Sequence, residues 1–299
     1  MRSLTKVLSP PSSTDIPHKP VAIRDGLVRL SCFTMKTSLL QTGRTAFGEN
    51  PELYDLARPP YPAQIMSIIE RHCPVRNARI FEIGPGTGKA SAMLLQKEPS
   101  ELTGIEPDPR LAAYLRHLPG MNVLPCAWED ALLPHDHYDL GIAATAFHWL
   151  PQILSLQKIQ QTLRPGGWWA MWWNVFGDPE NPDDFHLATT DLFRSLTPQS
   201  RQDATKPFSL KTEDRTRDLL TTGFENISSH RFHWTMDMSS DQVCALAMTF
   251  PQVTRATPEK QKGILQKLTR ITEEEFGGCV TRHFLTPLYL GQKPLRRKP

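Results

Sequence analysis

The chain is short of acid at its start: among the first 44 residues only Asp15 and Asp25 are acidic, against many basic, Ser and Pro residues. That composition resembles an organellar transit peptide only weakly. Its prolines and lack of periodicity instead make residues 1–46 read as a flexible N-terminal extension. Long apolar runs are also missing. No stretch reaches the roughly 18 residues of a membrane span, and "YDLGIAATAFHWL" (138–150) is interrupted by His148 and reads as a buried strand. Stable membrane insertion is therefore not expected. The five cysteines (Cys32, Cys73, Cys126, Cys244, Cys279) never fall in CxxC spacing, which argues against a disulfide framework or a zinc site. A reducing compartment fits best, and the expected location is cytoplasmic. Nor is there a block of like charge, and a net charge of +3 gives no reason to expect a nucleic-acid partner.

What the chain does have is an ordinary folding composition, 39% hydrophobic and 22% charged over 299 residues, enough for a sizeable core. From about residue 47 the pattern is regular. Helical spacing in "AQIMSIIERHC" precedes a buried strand, "ARIFEIG", and a helix, "KASAMLLQK". "ELTGIEPD" is a second strand, and Pro109 suits the first turn of the helix that follows it. "MNVLPCAWE" and "YDLGIAATAF" read as further strands, and "PQILSLQKIQQTLR" as a helix ended by "PGG" before the strand "GWWAMWWN". Strands alternating with such helices imply a mostly parallel sheet covered on both faces. After residue 175 the rhythm breaks. Helices at 185–196, 213–223, 239–250 and 258–276 and strands at 226–238 and 280–292 are expected to cap the sheet without forming a second domain.

The chemistry is carried by "ARIFEIGPGTGKAS" (78–91), a strand running into Gly84, Gly86 and Gly88 and then a helix. Glycines there let a ligand lie against bare backbone at the carboxyl edge of an open sheet. The dinucleotide fingerprint GxGxxG would need glycine at 89, where this chain has lysine. The spacing E-x-G-x-G-x-G favours S-adenosylmethionine (SAM) over a nicotinamide cofactor. Glu106, at the end of the next strand, adds to this, because an acid there can take both ribose hydroxyls of an adenosine.

Four stretches carry a resemblance: "YDLARPPYP" (54–62), "FEIGPGTGKAS" (81–91), "AATAFHWL" (143–150) and "LRPGGWWAMWWN" (163–174). With them, residues from about 47 to 291 resemble class I SAM-dependent methyltransferases, in the small-molecule branch similar to trans-aconitate methyltransferase. The resemblance implies a Rossmann-like, doubly wound, mostly parallel seven-stranded sheet with an antiparallel last strand and a helical cap, over residues 47–299. It implies SAM as cofactor, with Glu82 behind the glycine loop and Gly84, Gly86 and Gly88 beneath the ribose and amino-acid moiety. It places Glu106 on the ribose, Pro107, Trp128 and Glu129 around the adenine, and Ala146 and Phe147 beside the methyl donor. Tyr54, Arg58 and Tyr61 become parts of a lid. "CAWE" departs from the usual family form, which leaves the adenine contacts less defined than the ribose contact.

Aromatic rings can face a sulfonium, which suits Tyr61 and Phe147. His148 is the titratable group expected at the acceptor, as a base toward a hydroxyl or as a positioning group. A carboxylate acceptor would need no base. Trp173 and Asn174 are expected in the acceptor pocket, with the other tryptophans of that strand in the core. His135 and His137 read as a solvated loop, and no metal site is expected. The expected function is methylation of a small molecule, most readily at the oxygen of a carboxylate or hydroxyl, with a secondary metabolite as a plausible acceptor. The alternative is a methyltransferase-fold protein that binds SAM without transferring methyl, serving a rearrangement, a cyclisation or a regulatory partner. The sequence leaves the oligomeric state open.

Overall fold

The computed structural model describes residues 51–196 and 206–295. The expected extension over residues 1–46 lies outside the described residues. The alternation expected from sequence is present: α2 (Gln64–His72), β1 (Arg79–Ile83), α3 (Lys89–Leu95), β2 (Glu101–Ile105), α4 (Pro109–Leu115), β3 (Asn122–Leu124), β4 (Tyr138–Ala144), α5 (Gln152–Thr162) and β5 (Leu163–Trp172). A short helix that the sequence pattern did not announce, α1 (Pro51–Ala57), precedes them.

The sheet runs β3-β2-β1-β4-β5-β8-β6, where β6 is Val175–Phe176 and β8 is Cys279–Gln292, and β7 (Glu225–Ser239) also pairs with β8. β1 to β5 are parallel, whereas β8 is antiparallel to β5, β6 and β7. The sheet therefore has eight strands rather than seven, the addition being the two-residue β6. Strand order reverses between β1 and β4, so the carboxyl ends of β1, β2 and β4 open into one crevice, where such sheets bind ligands.

Local chemistry trims several expected elements. β3 stops at Leu124 because Pro125 has no N–H to continue the ladder. β4 stops at Ala144, and Thr145 turns with φ of 56°. Gly166, with φ of 78°, falls where the β4–β5 register shifts, so "PGG" belongs to a bulge in β5 rather than to a helix stop.

The tryptophans of β5 and the residue after it alternate as a doubly covered strand requires. Trp168 and Trp172 pack with α2 and α3, while Trp169 and Trp173 pack on the face covered by α5. The ends of β7 and β8 extend beyond the sheet and carry a third apolar cluster of their own, with Phe284, Leu268, Val243 and Phe185 at its centre. The cap thus has a core continuous with the sheet through two long strands.

His137 lies in the loop before β4 as expected and is partly exposed, but it is engaged there. Its Nε2 lies 3.0 Å from Glu101 Oε2 and its Nδ1 3.3 Å from Arg79 Nη1, in a network that also joins Asp139 and Arg164 beneath the sheet.

Candidate active site at the carboxyl edge of the sheet

At the crevice the three glycines do different work. Gly84 has φ of 64°, and a Cβ there would stand 2.7 Å from the Ala146 Cβ, so the loop after β1 presses against the turn after β4. Gly88 has φ of 87°, and a Cβ would come within 2.4 Å of Leu118 Cδ1, so it serves helix packing. A Cβ on Gly86 (φ of 61°) would meet nothing within 4 Å. That bare backbone faces a cleft with about 1080 Å³ of empty space including its mouth, lined by Gly84, Pro85, Gly86 and Thr87 on this side.

Glu106 follows β2 directly and lines the cleft while only 3% exposed. Its Oε2 accepts from the Gly86 N–H at 2.9 Å and its Oε1 from the Asp108 N–H at 3.0 Å. The turn is held by Asp108, which caps α4 and pairs with Arg110. Two of the roughly four acceptor positions of the carboxylate remain. Burial pushes its pKa up to about 7, although both N–H groups favour the ionised form.

Glu82 lies behind the loop and outside the cleft wall, with no exposure at all. Ser91 Oγ donates to its Oε2 at 2.6 Å, and Oε1 has no hydrogen-bond partner. Burial raises its pKa to about 7; Ser91 works against that shift and the charge of Glu106 adds to it.

The cleft's other walls come from four places. Pro107 stands beside Glu106. Trp128 and Glu129 follow β3, the indole stacked on Phe81 at 5.6 Å, and Lys158 donates to the Trp128 carbonyl at 2.6 Å. Thr145 and Ala146 follow β4. The segment after α1 contributes Arg58, Pro59 and Tyr61, and α1 itself contributes Tyr54.

This lid is fixed at several points. Asp55 accepts from Thr87 Oγ1 at 2.7 Å and pairs with Lys89 at 3.1 Å, tying α1 to the glycine loop. Arg58 donates to the Thr249 carbonyl at 3.2 Å, with its guanidinium 5.2 Å from the Tyr54 ring centre and 4.7 Å from that of Phe176. Tyr61 donates to Thr145 Oγ1 at 3.0 Å, and burial raises its pKa. Asn174 lines the cleft as well, but its amide is engaged by the protein at both ends.

Besides Glu82 and Gly88, three sequence-selected residues are not brought to the cleft wall. Phe147 is fully buried, its ring 5.3 Å from Trp169 in the core, so it does not face the crevice. Its apolar bulk is taken by the space beneath the turn. Trp173 packs against Phe208 at 5.5 Å and Tyr289 at 6.3 Å in the same core. His148 turns toward it, its Nδ1 accepting from Trp173 Nε1 at 3.1 Å. An acceptor Nδ1 leaves the neutral ring's proton on Nε2, which makes that nitrogen a donor and not a base. Burial, with Arg58 adding to it, lowers the His148 pKa to about 4.

Thr145, Phe176 and the Asp55 clamp belong to this site without having been found by sequence reasoning. A lone Thr or Asp gives no periodic signal, although the proximity of Asp55 to Tyr54 and Arg58 in "YDLARPPYP" was available. Among the described residues no three His, Cys, Asp or Glu side chains gather as a metal site would require.

The chain is similar to several proteins described as methyltransferases. A family described as a methyltransferase domain matches residues 81–169, from β1 into β5. An uncharacterized methyltransferase of Mycobacterium tuberculosis is 28% identical over 213 residues, covering 59% of this chain and 86% of its own. An uncharacterized methyltransferase-like protein of Schizosaccharomyces pombe is 28% identical over 127 residues, covering 42% of this chain and 50% of its own. A solved structure described as a candidate type II methyltransferase from Anaeromyxobacter dehalogenans shares the fold with a TM-score of 0.61 at 19% identity, covering 80% of this chain and 99% of its own. Haemonchus contortus phosphoethanolamine N-methyltransferase 2, in complex with phosphomonomethylethanolamine and S-adenosylhomocysteine, aligns with a TM-score of 0.50 at 13% identity, covering 85% and 61%.

Proposed function

We propose that this chain, a class I SAM-dependent methyltransferase, methylates a small molecule at oxygen, and that the oxygen belongs to a carboxylate. The residues present fit the cofactor. Open space over Gly86 accepts a ligand against bare backbone, and Glu106 offers two further acceptor positions at the cleft wall. In this reading Gly84 and Gly86 lie against the amino-acid and ribose portions, Glu106 takes the ribose hydroxyls, and Pro107, Trp128 and Glu129 border the adenine. Glu82 and Gly88 act from behind, holding the loop. Ala146 and Tyr61 border the reacting end, and the domain extends over residues 47–299. Bound SAM supplies an activated methyl group.

The chain's own residues align the acceptor and exclude water. The observation that carries the choice of acceptor is Arg58, a guanidinium set at the cleft wall between the Tyr54 and Phe176 rings. Such a group recognises a carboxylate through charge-assisted hydrogen bonds. A carboxylate is ionised at neutral pH and asks for no base, which agrees with a His148 whose proton sits on Nε2.

Incubation with SAM labelled in the methyl group and a panel of small acids and phenols tests this. Acids should be labelled, with kcat/KM for the acid level between pH 6 and 8 at saturating SAM. Arg58→Gln should raise the acid's KM about tenfold or more, as loss of a charged hydrogen bond implies. Labelling of phenols alone, with kcat/KM climbing as pH rises, would contradict the carboxylate assignment. Tight SAM binding without any labelled product would favour a protein that binds the cofactor and transfers no methyl.

A further inference from the structure

The lid segment poses a problem of hydrogen bonding. Of residues 59–62, Pro59, Pro60 and Pro62 have no backbone N–H, so only Tyr61 can donate from the main chain. With a single main-chain donor, such a segment is held mostly through its carbonyls and its side chains. Both carbonyls of the proline pair converge on one amide: Asn174 Nδ2 lies 2.9 Å from the Pro60 oxygen and 3.4 Å from the Pro59 oxygen.

That amide is itself oriented. Thr286 Oγ1 on β8 donates to Asn174 Oδ1 at 2.7 Å, and Trp234 Nε1 on β7 donates to Thr286 Oγ1 at 2.9 Å. Donors and acceptors match in one direction from Trp234 to the lid. A flipped Asn174 would set its oxygen against two carbonyls and its NH2 against a hydroxyl already holding an indole N–H. Thr286 has no exposure and does not line the cleft, and Trp234 is stacked on Phe284 at 4.5 Å.

We propose that Asn174 is a positioning residue: the relay Trp234–Thr286–Asn174 fixes the Pro59–Pro60 carbonyls and thereby aims Arg58 and Tyr61, on either side of them, into the acceptor part of the cleft. With φ fixed at both prolines, locking the two carbonyls sets the direction of the chain entering and leaving the pair. Asn174 acts on the acceptor through Arg58 and Tyr61 and does not hold it directly. The kinetic part of the test rests on the methyl-transfer reading; the exchange part does not.

The experiment uses the full chain with Thr286→Val, Thr286→Ser and Asn174→Ala. For each, hydrogen exchange over residues 51–61 is measured with saturating S-adenosylhomocysteine, and acceptor KM and kcat are measured with saturating SAM. Thr286→Val should speed exchange of that segment and raise acceptor KM about fivefold or more with kcat changed less than about twofold, as lost positioning of a binding group implies. Thr286→Ser keeps the hydroxyl and should restore both values. Asn174→Ala should act like Thr286→Val, and the double variant should be no worse than either alone. Should Thr286→Val fail to fold, Trp234→Phe removes the terminal donor, together with part of the ring stacked on Phe284, and should shift both readouts in the same direction by less. Wild-type KM and exchange in Thr286→Val would overturn the relay. A raised KM in Asn174→Ala with Thr286→Val unaffected would overturn it too, by making Asn174 an acceptor contact. If no acid is turned over by the wild type, the carboxylate reading falls and exchange alone decides the relay.

Discussion

Glu106 meets two requirements with one carboxylate. It pins the glycine loop through the Gly86 N–H and the α4 turn through the Asp108 N–H, and it keeps acceptor capacity at the cleft wall. Burial raises its pKa from the ordinary 4.5 to about 7, so near neutrality it is partly protonated without ligand. Ribose hydroxyls donating to it, as proposed, would select the ionised form. Affinity for S-adenosylhomocysteine should therefore be full above pH 8 and fall on acidification, by about tenfold from pH 8 to pH 6 for a group titrating near 7. Calorimetry across that range checks it, and Glu106→Gln should bind weakly with a flat profile. At this scale the spacing of Glu106 from the glycines was legible in the sequence, because an acid ending the strand next to a glycine turn has few other uses. The roles of His148 and Phe147 were not. Both sit one turn past β4, and the positive φ of Thr145, which decides where they point, leaves no mark in the sequence.

The glycine loop and the lid are the elements that make the cleft. Gly86 and Gly88 look alike in sequence but face different neighbours, so alanine should separate them. Both need φ above 60°, which costs an L-residue about 1–2 kcal/mol. At Gly88 the new methyl also meets Leu118, and about 1–3 kcal/mol of overpacking should lower the melting temperature clearly. At Gly86 the methyl enters open space above the loop, so stability should drop less while S-adenosylhomocysteine binding suffers more. Equal effects of the two substitutions on binding and melting would contradict this division. The lid was only half legible. "RPPYP" announced a specialised segment, yet its fastening depends on Asn174, Thr286 and Asp55, partners up to 228 positions from Arg58 that only the folded sheet brings near.

Across the whole molecule, alternating strands and helices sufficed to predict a mostly parallel sheet covered on both faces, since such a sheet needs continuous apolar strands and short connections, whereas the reversal of strand order between β1 and β4 is visible only in the fold. The long β7–β8 ribbon was visible as two strands, but not its second use as the base of the cap, because half-exposed alternation looks the same on either support. That ribbon places Thr286 under the lid and Leu288 in the sheet core on one strand, coupling the cap to the cleft. The class of acceptor is the central claim, and methyl esters differ from ethers and methylamines in releasing methanol when treated with base. The most direct measurement incubates the full chain with methyl-labelled SAM and small carboxylic acids, treats the products with alkali and collects the volatile label. Volatile labelled methanol that depends on the acid, and is sharply reduced in Arg58→Gln, is the predicted result. Label that stays in a base-stable product, or appears only with phenols or amines, would contradict it.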